Sequence, residues 1–217
     1  MNRRKRGNAG PQMRGVAVLI LFCSIFLVTP SRADSLYTVT VDTSSISGIS
    51  AQLAFDFIAG GSPANSVTLS GFSTNGILGA AVSTGGVSGT LPGTVKLTDS
   101  SFFNEYLTGI TLGNNISFLV DATTNAPGPN SLPDAFSFSL LNPSTGLPLF
   151  ATSDPTGANT LTVLSLDGSV KGSLSAYTAP GGQAVLTATP AASPEPPTLL
   201  LMASGLAFLL WWCKGRA

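Results

Sequence analysis

The sequence predicts an all-β fold, an antiparallel β-sandwich or jelly-roll-like ectodomain between an N-terminal signal peptide and a single C-terminal transmembrane helix. Three observations predict the β domain. Short runs alternate apolar and polar residues, glycine- and asparagine-rich turns separate those runs, and Ser and Thr supply 45 of the 160 residues from 34 to 193. Such alternation is typical of strands with one buried face, and this composition favours strands and turns.

The chain divides into four segments. Residues 1–33 are the predicted signal peptide, 34–190 the β-sandwich ectodomain, 191–197 a proline-rich linker, and 198–217 an apolar tail with a basic end. The ectodomain is the size of one domain and is large enough to bury a core. It shows no fixed repeat, which argues against a solenoid or a propeller.

Six runs in the ectodomain carry the strand pattern. In the first, Tyr37, Val39 and Val41 alternate with polar residues and are expected to face the core. The other five predict inward-facing residues in the same way: Leu53, Phe55 and Phe57; Val67 and Leu69; Ile116, Phe118 and Val120; Phe136, Phe138 and Leu140; Leu161 and Val163.

Turn residues separate these runs. They are Asn75-Gly76, Gly85-Gly86, Gly113-Asn114-Asn115 and Asp167-Gly168. Such residues adopt the positive φ angles that tight hairpins require, so we expect tight hairpins that make neighbouring strands antiparallel. Turns at intervals of about 8–12 residues favour a sandwich over an open barrel.

Two further segments have their own predictions. Residues 99–107 predict one or two helical turns, because Asp99 or Ser100 can cap a segment whose large apolar side chains cluster on one side. Residues 124–133 contain three prolines and are expected to cross between the two sheets. The alternative, a division of the ectodomain into two lobes, leaves each half short of core.

The N-terminus has the pattern of an export signal. Basic residues at positions 3–6 precede an apolar run of about 14 residues, within the length of a signal peptide and shorter than a membrane span of about 20. Small residues around Arg32 predict that signal peptidase cuts after Ala33, so that the mature chain begins at Asp34. A retained N-terminal anchor is the alternative, because Arg32 is unusual in that position.

The C-terminus has the pattern of a membrane tail. An uncharged segment from residue 198 to 213 is followed by Lys214 and Arg216. Its 16 residues would rise roughly 24 Å as a helix, against a hydrocarbon core of about 30 Å, so the span is marginal. The basic residues act as a membrane stop and predict a cytoplasmic C-terminus. Cys213 in this segment is expected to be an apolar filler rather than a lipidation site.

The sequence Pro194-Glu195-Pro196, the short apolar helix and the basic end together resemble a PEP-CTERM sorting tail. This resemblance covers residues 194–217 and implies recognition by an exosortase, a membrane protease or transpeptidase of bacteria that build exopolysaccharide and biofilm. Residues 36–42, 53–57, 102–106 and 134–138 resemble an uncharacterised subgroup of the same exported proteins, which implies no known activity. A plain tail anchor is the alternative reading of the tail.

Composition excludes several function classes for the ectodomain. From residue 34 to 193 there are nine acidic residues and only Lys96 and Lys171, a net charge of −7 that disfavours nucleic-acid binding. Both cysteines, Cys23 and Cys213, lie in the targeting segments, and the chain contains no histidine. A disulfide framework, a Ser-His nucleophile and zinc ligation by His or Cys are therefore excluded from the ectodomain.

Carboxylates are the remaining candidates for catalysis, as an acid and base pair of a glycosidase. Asp56 and Glu105 are the best-placed pair. Because Asp56 alternates with Phe55 and Phe57, we expect a solvated side chain on the polar face of a strand, and we expect Glu105 on the wet side of a short helix. We therefore predict no catalytic residues and no enzyme.

Calcium is the one cofactor that the residues suggest. Asp121, Asn125 and Asp134, with loop carbonyls, offer the oxygen ligands that calcium prefers, but their spacing fits no known calcium loop. Loop Asp and Asn residues more often stabilise turns, so no cofactor is expected. A structural protein of the envelope or biofilm is favoured, with exopolysaccharide as a further partner; a carbohydrate-binding or adhesive module is the alternative, and a glycosidase ranks third.

Overall fold

The computed structural model describes residues 34–62, 64–168, 173–179 and 185–190. Within these residues the chain forms two antiparallel sheets of six strands each, packed together as a β-sandwich. The first sheet has the order β12 (Val185–Pro190), β1 (Asp34–Asp42), β8 (Asn115–Thr123), β3 (Ser66–Thr74), β6 (Val95–Thr98) and β5 (Val87–Gly89). The second sheet has the order β11 (Ser173–Ala176), β10 (Thr162–Leu166), β9 (Asp134–Leu141), β2 (Ser50–Ile58), β7 (Phe103–Thr111) and β4 (Ile77–Thr84). A single 3-10 turn, Ser44–Ile46, is the only helical element in the described residues.

One hydrophobic core fills the space between the sheets. At its centre the rings of Phe55 and Phe138, on paired strands, stack with centroids 4.9 Å apart. Phe118 of the opposite sheet meets both rings edge-on, at 5.3 and 5.1 Å. Such aromatic pairs add about 0.5–1.5 kcal/mol each to the gain from burial, so this trio helps hold the two sheets together.

Five of the six predicted strands have the predicted inward face. The apolar residues expected to face the core are buried in β1, β2, β3, β8 and β9. The sixth prediction, Leu161 and Val163, was right for Leu161, which is fully buried just before β10, and wrong for Val163. Thr162, Leu164 and Leu166 of β10 face the core, and Val163 lies on the opposite face, because buried Thr162 hides the alternation from a reading of apolar residues alone.

The helix predicted for residues 99–107 is absent. The chain turns at residues 99–102 and then forms β7, which pairs with both β2 and β4. Asn104, Tyr106, Thr108 and Ile110 face inward and are buried. Polar Asn104 and Thr108 obscure the strand pattern in the sequence, and pairing on both sides overrides the weak local helical preference.

The predicted turns occur between strands, but most of them join the two sheets. The chain passes from one sheet to the other at Asn75-Gly76, Gly85-Gly86 and the Gly113 turn, so those predictions of in-sheet hairpins were wrong. Gly85 does adopt a positive φ of 71°. Gly76 and Gly113 instead allow two backbones to approach so closely that a side chain on either would clash with the other turn.

The proline-rich segment, residues 124–133, leads from β8 in the first sheet to β9 in the second. The predicted crossing between sheets is therefore confirmed. Core residues come from strands on both sides of this segment and belong to one cluster.

Candidate functional site

Asp56 lies on β2, the strand between β7 and β9, and its side chain is on the outer face of the second sheet. Its direct neighbours are Glu105 on β7 and Ser137 on β9. Residues opposed in this way have Cβ atoms about 4.5–5.5 Å apart, so their side chains interact. The fold therefore brings together the two carboxylates that the sequence had placed on separate elements.

The solvated environment expected for Asp56 was wrong. Its Oδ1 atom is shielded from solvent and has no hydrogen-bond partner. Burial, and secondarily the negative charge of Glu105, raise the pKa of Asp56 to about 7, while a hydrogen bond from Ser137 acts in the opposite direction.

Glu105 was expected on a helix and lies instead on β7, partly buried beside Asp56. The negative charge of Glu105 opposes ionisation of Asp56 and adds to the effect of burial on the pKa of Asp56. Near neutral pH, Asp56 therefore carries a proton in part of the molecules.

Apolar pairs flank this carboxylate pair along the strands. On one side Ile58 opposes Phe103, whose side chain is 41% exposed, and Phe102 beside it is 75% exposed. On the other side Ala54, buried although it faces outward, opposes Leu107. The outer face of the second sheet thus presents exposed aromatic rings next to Asp56 and Glu105.

A second polar cluster surrounds Asp134, one of the proposed calcium ligands. Asp134 is fully buried at the start of β9. Its Oδ1 accepts hydrogen bonds from the backbone N–H groups of Gly60 at 2.7 Å, Gly61 at 3.2 Å and Ser62 at 3.2 Å. Its Oδ2 accepts a bond from the Nδ2 of Asn65 at 3.0 Å. Both carboxylate oxygens of Asp134 therefore accept hydrogen bonds from N–H groups. The partial positive charge on those hydrogens disfavours a cation bound beside Asp134.

Asn65 links this cluster to the crossing segment. Its Oδ1 accepts the backbone N–H of Asn125 at 2.7 Å and the Thr123 hydroxyl at 3.3 Å, and its Nδ2 also donates to the Asn125 carbonyl. Asn65 is almost completely buried. Nothing in the sequence pattern singled it out, because its role depends on contacts about 60 residues away.

The three proposed calcium ligands are not arranged as one set. Asn125 and Asp134 both contact Asn65, whereas Asp121 is exposed on β8, beside Thr68 of β3 and Leu36 of β1. Within the part of the chain that the structure describes, no three carboxylate, His or Cys side chains form a group that could hold a metal ion. The expectation of no cofactor, with calcium as its alternative, stays untested.

The targeting residues lie mostly outside the described residues. These are Ala33, the sorting motif Pro194, Glu195 and Pro196, and the membrane stop Lys214 and Arg216. Asp34, the predicted first residue of the mature chain, opens β1 and pairs with Thr123 of β8. In the described ranges, no helix is both long and apolar enough to span a membrane.

Comparisons of the chain with protein-family models, with curated proteins and with solved structures found no match.

Proposed function

We propose that the chain is an exported structural protein of the cell surface or extracellular matrix, sorted through its C-terminal tail by an exosortase. The observation that carries this proposal is the Pro194-Glu195-Pro196 motif, followed by a short apolar segment and Lys214 and Arg216. The basic residues and the apolar run at the N-terminus support export of the chain.

Processing at the N-terminus would leave the described fold whole. A signal-peptidase cut after Ala33 removes none of the nine residues of β1, which start at Asp34. The first sheet would then keep its pairing between β1 and β8 over the full length of both strands.

The tail would hold the sandwich close to the membrane until it is processed. β12 ends at Pro190, and residues 191–197 link it to the apolar segment. Seven residues span at most about 25 Å. Prolines on both sides of Glu195 disfavour a helix, so the motif is expected to be extended and accessible to a membrane protease.

The fold supports a structural role, although a fold alone does not define a function. Many cell-surface domains are β-sandwiches. In the first sheet β1, β8, β3 and β6 are consecutive neighbours, and in the second sheet β2, β7 and β4 are. This alternation of the chain between two sheets supports the jelly-roll form of the predicted sandwich. The aromatic core forms without disulfides, so folding would not depend on an oxidising compartment.

The test is the substitution Glu195→Ala in a strain that possesses an exosortase. We expect wild type to lose its tail and to leave the membrane fraction, and Glu195→Ala to remain there at full length. Ser193→Ala, just outside the motif, is the matched control and should behave like wild type. If Glu195→Ala and wild type have the same size and fractionation, the tail is only an anchor and the sorting proposal fails.

A carbohydrate-binding module is the second candidate function, and the exposed rings of Phe102 and Phe103 favour it. Sugars stack on exposed aromatic rings, and Glu105 next to Phe103 offers a hydrogen-bond acceptor. Affinity electrophoresis in exopolysaccharide gels would then show retardation that Phe103→Ala abolishes. Ile77→Ala, which removes a still more exposed apolar side chain elsewhere on the same sheet, is the control and should leave the retardation intact.

A glycosidase has the weakest support of the three. Retaining enzymes place their two carboxyl groups about 5–5.5 Å apart on either side of the scissile bond. Asp56 and Glu105 are directly opposed on paired strands, but the Oδ1 of Asp56 is shielded from solvent. A substrate cannot reach that atom without disturbing the sheet.

A further inference from the structure

Strand β4 forms one outer edge of the second sheet. It pairs with β7 on one side, and no strand of the described ranges pairs with its other side. Seven of its eight residues are exposed, including Ile77 at 72% and Val82 at 64%. The free side therefore presents unpaired backbone donors and acceptors beside exposed apolar side chains.

The other three sheet edges are less suited to further pairing. β5 has three residues and β11 has four, so each offers few hydrogen bonds. β12 ends in Pro190, which has no N–H to donate. Short strands and prolines are common ways to protect an edge, and charged side chains are another. β4 has none of these three features, because residues 77–95 contain no charged residue and its eight residues contain no proline.

Both ends of β4 are fixed by buried or backbone-bound side chains. At its C-terminal end, the Oδ1 of Asn104 accepts the Gly86 N–H at 2.7 Å, and the Nδ2 of Asn104 donates to the carbonyls of Phe57 and Ser101. At its N-terminal end, the Oδ1 of Asn75 accepts the Asn114 N–H at 2.7 Å. A strand that is already ordered loses little conformational entropy when it pairs.

We propose that β4 is a self-association edge, at which a second copy of this chain adds its own β4 antiparallel to the first. The pairing would join the two second sheets across a two-fold axis near Val82, where β4 is regular, since its irregularity lies between Leu78 and Ala81. An antiparallel pair of identical strands satisfies both edges at once and closes the assembly at a dimer.

The absence of charge on β4, rather than the net charge of the domain, favours a second copy over a charged partner. The ectodomain carries a net charge of −7, so two copies repel each other except where an uncharged surface lets them approach. Strand β4 is such a surface, because it carries no charged residue and is exposed over most of its length. An acidic polymer is repelled by the domain as a whole, and β4 offers no charge with which to select a basic peptide. Because the copies repel, salt should strengthen the dimer by screening.

The dimer is expected to be weak. One pair of edge strands buries less than the roughly 1,200–2,000 Å² of a stable interface, so we expect a dissociation constant on the order of 10–100 µM. Anchoring at a membrane or concentration in a matrix would raise the effective concentration, and this consequence alone rests on the proposed function.

The test is sedimentation of the full chain in detergent micelles over a concentration series. Wild type should change from monomer to dimer as the concentration rises. Val82→Lys should raise the dissociation constant of the dimer at least tenfold, because it places a charge at the β4 edge. Thr40→Lys adds the same charge to an exposed position on the outer face of the first sheet and should associate like wild type. Circular dichroism checks that each variant is folded, and Ile77→Lys provides a second edge variant.

Hydrogen exchange locates the interface independently. Backbone amides of β4 should exchange more slowly as the concentration of wild type rises, while those of β11 should not change. A wild-type chain that stays single at all concentrations overturns the proposal. Dimers that persist in Val82→Lys and Ile77→Lys also overturn it, because the contact then lies in the tail or elsewhere. Neither result bears on tail processing, which the Glu195→Ala experiment tests separately.

Discussion

Asp134 and Asp56 lie on paired strands of the same sheet, and their carboxylates are buried in different ways. Asp134, on the inner face, is fully buried and accepts four N–H groups. Asp56, on the outer face, is less buried, yet one of its oxygens has no hydrogen-bond partner and Glu105 lies beside it. The number of donors, rather than the depth of burial, distinguishes the two sites.

The difference shows how each carboxylate offsets the cost of leaving water. A buried carboxylate is tolerated when N–H donors replace the lost hydration. Where donors are missing and a second negative charge is close, the group takes up a proton instead. Asp134 therefore ties the residue 60–65 loop to β9, whereas Asp56 makes the stability of the sheet depend on pH.

The largest effect is expected from Asp134→Ala. The substitution leaves the N–H groups of Gly60, Gly61 and Ser62 and the amide of Asn65 without their acceptor, at a cost of about 3–5 kcal/mol in the free energy of unfolding. Denaturant unfolding at pH 7 measures this loss. Asp134→Asn keeps one acceptor oxygen and should lose less. A loss below about 1 kcal/mol for Asp134→Ala would show that the donors find other partners.

The opposite sign is expected from Asp56→Asn. The folded-state pKa of Asp56, about 7, lies above the unfolded value near 3.9, so its stabilising contribution is complete below about pH 4 and is lost as the pH rises through 7. Asn cannot ionise and should make the protein more stable than wild type by roughly 2–4 kcal/mol at pH 8.5, with little difference at pH 3.5. Equal stability of wild type and Asp56→Asn at pH 8.5 would show that ionised Asp56 does not destabilise the fold. Asp56 would then not differ from Asp134 in this respect.

A smaller effect is expected from Glu105→Gln. This change removes the second cause of the raised pKa of Asp56 and leaves burial, the larger one, in place. Stability at pH 8.5 should rise by about 1 kcal/mol or less, and the pH at which stability declines should move downward. Asp99→Asn, a change at an acidic residue in the turn before β7, is the control for a general reduction of negative charge. An equal gain in that control would assign the effect to net charge.

The sequence predicted which residues form the core better than it predicted the environments of Asp56 and Asp134. The inward faces of β1, β2, β8 and β9 could be predicted because apolar residues occupy every second position. β7 could not, since Asn104 and Thr108 are among its buried residues. Local patterns also do not reveal which strands pair, and the meeting of Asp56 with Glu105 depends on the pairing of β2 with β7. The donors around Asp134 were hidden for the same reason, because they lie about 70 residues away in the chain.

The environment of Asp56 is tested most directly by an NMR titration of its carboxyl carbon, with Asp56→Asn used to assign the signal. We expect a midpoint near pH 7, because burial, and secondarily the negative charge of Glu105 on the next strand, favours the protonated form of Asp56. In Glu105→Gln the midpoint should fall but remain above that of an ordinary Asp. A wild-type midpoint near 4, the value of a solvated carboxylate, would contradict the claim that Asp56 is buried without sufficient partners.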